Sequence, residues 1–231
     1  MESRFEALPD GSYHERCDKS TTILRNAHLT ASSFLSTFET DRKVRSARGT
    51  TTDQEQDLLR AMLTFASSGL DSMIKQLVRD TLAEVINLRE GAQAQFKEFV
   101  ERRLRRGDAP DYSFVAGVMA SPDPRKHLVD GLVVHLTSRS LQSVEEVLRV
   151  GSYFDIPSQK LIPDRNGARE IFSARNQIVH EMDIDFERPN RNRRPRKLQD
   201  MKAKTQALFH VAHQFLTEVD ARLGSGDDRS D

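Results

Sequence analysis

Apolar residues recur along most of this chain at three- and four-residue steps, the spacing that gathers them on one face of an α-helix. Between Ser20 and Val44, Leu24, Ala27, Ala31, Leu35 and Phe38 do so. Gly49 and a group of threonines then interrupt the pattern from Arg45 to Thr52. Thr52 and Glu55 stand three apart, as in helix starts where side chain and backbone cap each other. From there Leu59, Met62, Leu63, Ala66, Leu70, Met73, Ile74, Leu77, Val78, Leu82, Val85 and Ile86 form one long stripe. Such a stripe needs a partner surface of similar length, so this helix is predicted to be the spine of a bundle.

Gly91 interrupts the run before Phe96, Phe99, Val100 and Leu104, whose outer face is basic (Arg102, Arg103, Arg105, Arg106). Glu98 and Glu101 are interleaved with those arginines, which lowers their weight as a binding face. Gly107 to Pro110 ends that helix, and Pro122 and Pro124 introduce another carrying Leu128, Val129, Leu132, Val133 and Leu136. Leu141, Val144, Val147 and Leu148 make a shorter one, and Pro157 and Pro163 bracket a connector. Asn166-Gly167 leads into a helix running through Met182, and Leu198 to Leu223 is again periodic. No strand alternation longer than a few residues is present, so the expected fold is all-α. The expected organisation is an N-terminal helical extension over 1–52, a helical bundle over 53–223 and a disordered tail over 224–231.

Composition changes this picture little. Charged residues are 30% and apolar residues 37% of 231, which suits amphipathic helices with wide solvated faces. Lys plus Arg and Asp plus Glu are both 35, so net charge names no partner and only local clusters can. The single cysteine, Cys17, cannot close an internal disulfide, and no stretch approaches the ~18 apolar residues of a membrane span. A cytoplasmic protein without membrane contact is expected. No glycine loop that would cradle a phosphate is present and no cofactor is expected.

One helix departs from its own pattern. On a wheel of about 100° per residue, Ile171, Phe172, Ile178, Val179 and Met182 share a side, with Arg175 near its middle and Asn176 and His180 at its edge. Asn176 and His180 are four apart and therefore neighbours on the helix surface. Polar groups placed where the pattern asks for apolar ones tend to mark functional sites; the plain alternative is a structural arginine paired with a carboxylate. The trio suits RNA cleavage. That reaction needs a base for the 2′-hydroxyl proton, an acid for the leaving 5′-oxygen, and positive charge against the phosphoryl oxygens. Imidazoles transfer protons near neutral pH, and a guanidinium offers paired donors to phosphate. Asn176 could hold the phosphate or orient the imidazole.

Arg175-Asn176-Gln177-Ile178-Val179-His180 reads Arg-Asn-x-x-x-His, and it resembles the signature of HEPN domains, helical bundles of bacterial toxins, antiviral defence systems and RNA-processing proteins. The stretch Ala66 to Ile74 resembles the first core helix of that family, which makes Asp71 a supporting residue, and the resemblance covers about Gln54 to Leu223. It implies a metal-independent endoribonuclease, a toxin or defence effector with RNA as substrate. It also implies a homodimer in which both copies of His180 line one cleft, and an antitoxin or defence-system partner protein. A branch of the family paired with nucleotidyltransferase antitoxins has a tyrosine two residues after the histidine; Met182 stands there, so that form of control is not expected. A non-catalytic helical module binding RNA, a nucleotide or a partner protein through the same groove is the alternative.

Six basic side chains, Arg188, Arg191, Arg193, Arg194, Arg196 and Lys197, fall within ten residues that also hold two prolines. This composition predicts a mobile, extended RNA-binding arm beside the motif, with a solvated linker as the plainer reading. His210 and His213, three apart, are too few for a metal site. Glu181, Asp183 and Asp185 are expected to cap and solvate the helix end rather than to bind a divalent ion. Cys17 has no histidine nearby and is not expected to be a nucleophile.

Overall fold

The computed structural model describes residues 4–8, 11–46, 49–106 and 109–224. The tail expected to be disordered lies, beyond Gly224, outside the described residues. The helices are α1 (Asp18–Val44), α2 (Asp53–Leu88), α3 (Glu90–Arg103), α4 (Tyr112–Met119), α5 (Pro124–Thr137), α6 (Val144–Tyr153), α7 (Ser158–Leu161), α8 (Arg165–Glu181) and α9 (Leu198–Gly224). Among the described residues strand pairing is confined to β1 (Arg105–Arg106) against β2 (Ala109–Pro110) and a single bridge between Ile184 and Arg193. The fold is all-α, as the periodicity predicts.

α2 is the spine. Thr52 Oγ1 accepts from the Glu55 amide while Glu55 accepts from the Thr52 amide, so the predicted capping box starts it. Its apolar stripe, Leu59 through Ile86, is buried along the whole length, with α1 on one side and α9 on the other. Residue 52, where the pattern places a boundary, falls in the loop between α1 and α2, and the core crosses it. Phe5, ahead of α1, packs its ring 5.7 Å from that of Phe209 on α9.

Two segments differ from the periodic reading. α4 was not marked by any amphipathic spacing, and of its residues only Val118 is buried. Leu141 belongs to the loop before α6 rather than to the helix; it is buried there, and Ser143 caps the helix that follows.

α1 and α2 approach closely because small residues face each other. A Cβ placed on Gly69 would sit 2.2 Å from the Ala27 Cβ. Gly69→Ala should therefore force the two longest-packed helices apart and cost about 1–3 kcal/mol. A thermal melt at the wild-type midpoint would show that the interface yields without cost.

Candidate functional site

The motif occupies the last two turns of α8. Asp164 caps the start of this helix by accepting from the Gly167 amide at 3.0 Å. Its end is set by two consecutive residues in the left-handed region, Met182 and Asp183, with φ of 51° and 60°. The Asp183 amide then donates back to the Gln177 carbonyl at 2.8 Å.

Arg175, Asn176 and His180 meet on one side of that helix. Arg175 Nη1 donates to Asn176 Oδ1 at 3.0 Å and lies 3.3 Å from His180 Nε2. A fourth group, Gln142, comes from the loop before α6. Its carbonyl accepts from Asn176 Nδ2, and its side-chain Oε1 lies 3.3 Å from His180 Nε2. Gln142 was absent from the sequence reading because nothing in its spacing relates it to residues 34 and 38 positions away.

The two partners of His180 Nε2 require opposite states of that nitrogen, bare for Arg175 and protonated for Gln142. A guanidinium can only donate, so its contact is made with the lone pair of a neutral ring protonated at Nδ1. An amide oxygen can only accept, so its contact is made when Nε2 carries a proton. Placing a proton on Nε2 therefore trades the contact with Arg175 for the contact with Gln142. His180 and Val179 are exposed, while Arg175 and Asn176 are half-buried. Burial weakens the hold of Arg175 on its proton, and the Asp71 charge partly opposes this. Arg175 Nε is buried with no acceptor; a donor in that position costs about 1–3 kcal/mol.

Among the described residues no hydrogen bond or ion pair joins Asp71 to the motif side chains. Its Oδ1 accepts from the Leu141 amide at 2.7 Å and its Oδ2 from Lys75 Nζ at 2.8 Å. Glu146 accepts from the next amide, that of Gln142, at 2.6 Å. The two carboxylates thus hold consecutive amides of the loop that brings Gln142 to the motif. A cleft of about 310 Å³ opens beside Gln142 and Asn176, walled by Arg169, Ser173, Gln177 and Glu181.

The arginine-rich segment corrects the expectation of a mobile, extended arm. Its backbone folds back on the end of α8: the Arg194 amide donates to the Asp183 carbonyl at 2.8 Å and the Asp185 amide to that of Asn192 at 2.9 Å. Arg188 pairs with Asp185 at 3.0 Å, Arg193 with Asp57 at 2.6 Å, and Arg194 with Glu181 at 3.1 Å. Arg196 pairs with Asp183 and reaches Gln177 Oε1 at 2.9 Å. Among the described residues only Arg191 and Lys197 of the six lack an ion pair. The acids that pair with the segment are Asp57 on α2, Glu181 at the end of α8, and Asp183 and Asp185 in the loop just ahead of the arginines.

Asp183 corrects a second expectation. It is fully buried, not solvated, and it binds Arg60 Nε of α2 at 2.7 Å as well as Arg196. The wheel also placed Val179 and Met182 on the buried side, whereas Met182 is 64% exposed and Phe186 just beyond it 57%.

The remaining sequence candidates lie away from the motif. His210 contacts Glu6 at 2.9 Å, and His213 contacts the Tyr13 hydroxyl at 3.0 Å. Cys17 is buried, and burial, then Asp220, Asp18 and Asp80, push its thiol up to about 12, far from a reactive thiolate. A larger cavity of about 840 Å³ separates the C-terminal part of α1 from the start of α2 and the arginine-rich segment, with Arg42, Lys43 and Lys197 on its walls. Among the described residues no group of three histidine, cysteine or acidic side chains could hold a metal, and no helix is long and apolar enough to cross a membrane. Set against models of known families, curated proteins and solved structures, the chain finds no match in any of the three.

Proposed function

We propose that this chain is a metal-independent endoribonuclease of the HEPN type, acting as a homodimer in the role of a toxin or antiviral-defence effector. The observation that carries the reading is the meeting of Arg175, Asn176, Gln142 and His180 at an exposed helix end. His180 Nε2 takes the proton of an RNA 2′-hydroxyl, and the freed oxygen attacks the adjacent phosphorus. The bond to the 5′-oxygen breaks, and that oxygen receives a proton. Arg175 and Asn176 stabilise the charge on the phosphoryl oxygens. The products are a 2′,3′-cyclic phosphate and a 5′-hydroxyl. The defining experiment is cleavage of single-stranded RNA by the purified protein in excess EDTA, with the product ends identified. No cleavage by a wild-type dimer would leave the non-catalytic module as the reading.

One imidazole cannot be base and acid in the same step, so the mechanism draws the second from a symmetric copy. Val179 and Met182, exposed next to His180 along the chain, and Phe186, exposed in the loop beyond, support a pairing that covers them. Met182→Glu combined with Phe186→Glu would put four carboxylates into such an interface. The dimer should weaken by about 100-fold or more, seen by light scattering, and cleavage per chain should fall with it. A monomeric variant cutting at the wild-type rate would overturn the shared cleft.

A further inference from the structure

The arginine-rich segment spends most of its charge internally, yet a second basic cluster does not. It lies where the ends of α3, α5 and α6 meet. Phe99 of α3 packs its ring 5.5 Å from His135 of α5, and Arg102 donates to the Tyr153 hydroxyl of α6 at 3.1 Å. These two contacts bring Arg102 and Arg103 of α3 together with Arg139, just after α5, and Arg149 on α6. Burial, then the charges of Arg149, Arg102, Arg103 and Arg139, push the His135 imidazole below its ordinary value, so all the leading charges at that point are cationic.

Little neutralises them. Among the described residues Arg103, Arg139 and Arg149 have no ion pair, and Arg102 has only Glu98 at 3.8 Å, both side chains more than half exposed. Such an exposed pair is worth little. Aromatic surface is interleaved with this charge: Arg103 lies over the Phe114 ring at 4.8 Å, and Tyr112 on the same helix is 76% exposed. This also gives the apolar, little-buried α4 a use.

We propose that the α3–α4–α5–α6 face is a binding surface for single-stranded RNA, with Arg102, Arg103, Arg139 and Arg149 on the phosphates, Phe114 seating Arg103, and Tyr112 stacking on a base. Exposed arginines beside an open aromatic ring are what sequence-tolerant single-strand binding uses. The surface joins the motif directly, because Arg139 precedes Gln142 by three residues and their Cα atoms are at most about 11 Å apart. The inference deepens the ribonuclease reading and rests on it for the choice of RNA as the strand.

The test is fluorescence anisotropy with a labelled RNA of about 16 nucleotides, using the His180→Ala protein so that nothing is cut. Arg103→Ala, Arg139→Ala and Arg149→Ala together should weaken binding by roughly 10-fold or more at low salt. They should also flatten the logarithmic salt dependence by about 2, at about 0.7 per lost phosphate contact. Arg191→Ala, Arg193→Ala and Arg194→Ala together should leave that slope unchanged. Tyr112→Ala should weaken binding by roughly 10-fold through lost stacking, with no change of slope. A wild-type slope in the first triple variant, or its loss only in the second, would overturn the proposal. So would displacement of the RNA by polyglutamate at equal charge with Tyr112→Ala inert, which would make the surface a site for an acidic protein. RNA bound through this face by a wild-type protein that cuts none would end the nuclease reading and leave the proposal standing.

Discussion

Alanine in place of His180 should lower single-turnover RNA cleavage by roughly 100-fold or more while leaving RNA binding nearly intact. The side chain is exposed, so its removal opens no core cavity, and a rate loss reads chemistry rather than folding. Arg175→Ala should also lose rate, since it removes both the donor on His180 Nε2 and the charge facing the phosphoryl group. Arg175→Lys should rescue poorly. Arg175 reaches both Asn176 and His180 through Nη1 alone, which leaves a planar donor edge for the phosphoryl oxygens that an ammonium on a flexible stem cannot reproduce. Gln142→Ala tests the handover: it should slow the step in which His180 carries the proton and spare RNA binding. DNA, lacking the 2′-hydroxyl, should not be cut. Activity should persist in excess EDTA, because the acids beside the motif, Asp183 and Asp185, are already bound by arginines. Restoration by magnesium of an activity that EDTA abolished would shift the chemistry to carboxylates. Full activity in His180→Ala would end the nuclease assignment.

What the sequence revealed was local. The helices follow from three- and four-residue spacing because an amphipathic face is written into adjacent turns. The capping box at Thr52 and Glu55 is legible for the same reason. The polar trio Arg175, Asn176 and His180 could be seen because all three sit on one helix, where a wheel gives their relation. Gln142 could not be, since only the tertiary fold brings the loop before α6 to α8. Asp71 was singled out by resemblance alone, and its contact is with the Leu141 amide, a relation across 70 residues that no pattern encodes. The two basic clusters show the same limit with opposite outcomes. The run from Arg188 to Lys197 looked free because its counter-charges Asp57 and Asp183 lie outside it. The α3 arginines looked diluted by Glu98 and Glu101, although Arg139 and Arg149 join them from elements more than 30 residues away in sequence. Charge runs read along the chain count neighbours; binding faces are decided by what folding places opposite them.

The largest stability effect is expected at Asp183. This carboxylate is fully buried and holds two guanidinium groups, Arg60 on α2, itself 5% exposed, and Arg196 beyond the loop. Asp183→Ala removes the one buried counter-charge that both cations share; Arg60 keeps only Asp57 at 3.1 Å, a carboxylate more than half exposed, and cannot reach water without leaving the core. Breaking a buried pair in this way costs about 3–5 kcal/mol, and at about 2–4 °C per kcal/mol for a chain of this size the melting midpoint should drop by roughly 10 °C. Asp183→Asn keeps the shape and part of the hydrogen bonding, so its loss should be smaller. The sign of the effect belongs to the unpaired arginines rather than to the ion pair as such. Arg60→Met combined with Asp183→Leu and Arg196→Met should therefore recover much of the lost stability, since apolar replacement of a buried ion cluster is often neutral. Function should not recover with it. Asp183 follows His180 by three residues and, with Met182, turns the chain at the end of α8, and Arg196 also holds Gln177 within the motif. The stabilised triple variant should melt near the wild type yet cleave RNA more slowly, by single-turnover assay at 25 °C. A wild-type midpoint in Asp183→Ala would show that Arg60 and Arg196 find other partners, and a triple variant with full cleavage would show that the ion cluster does not hold the motif in place.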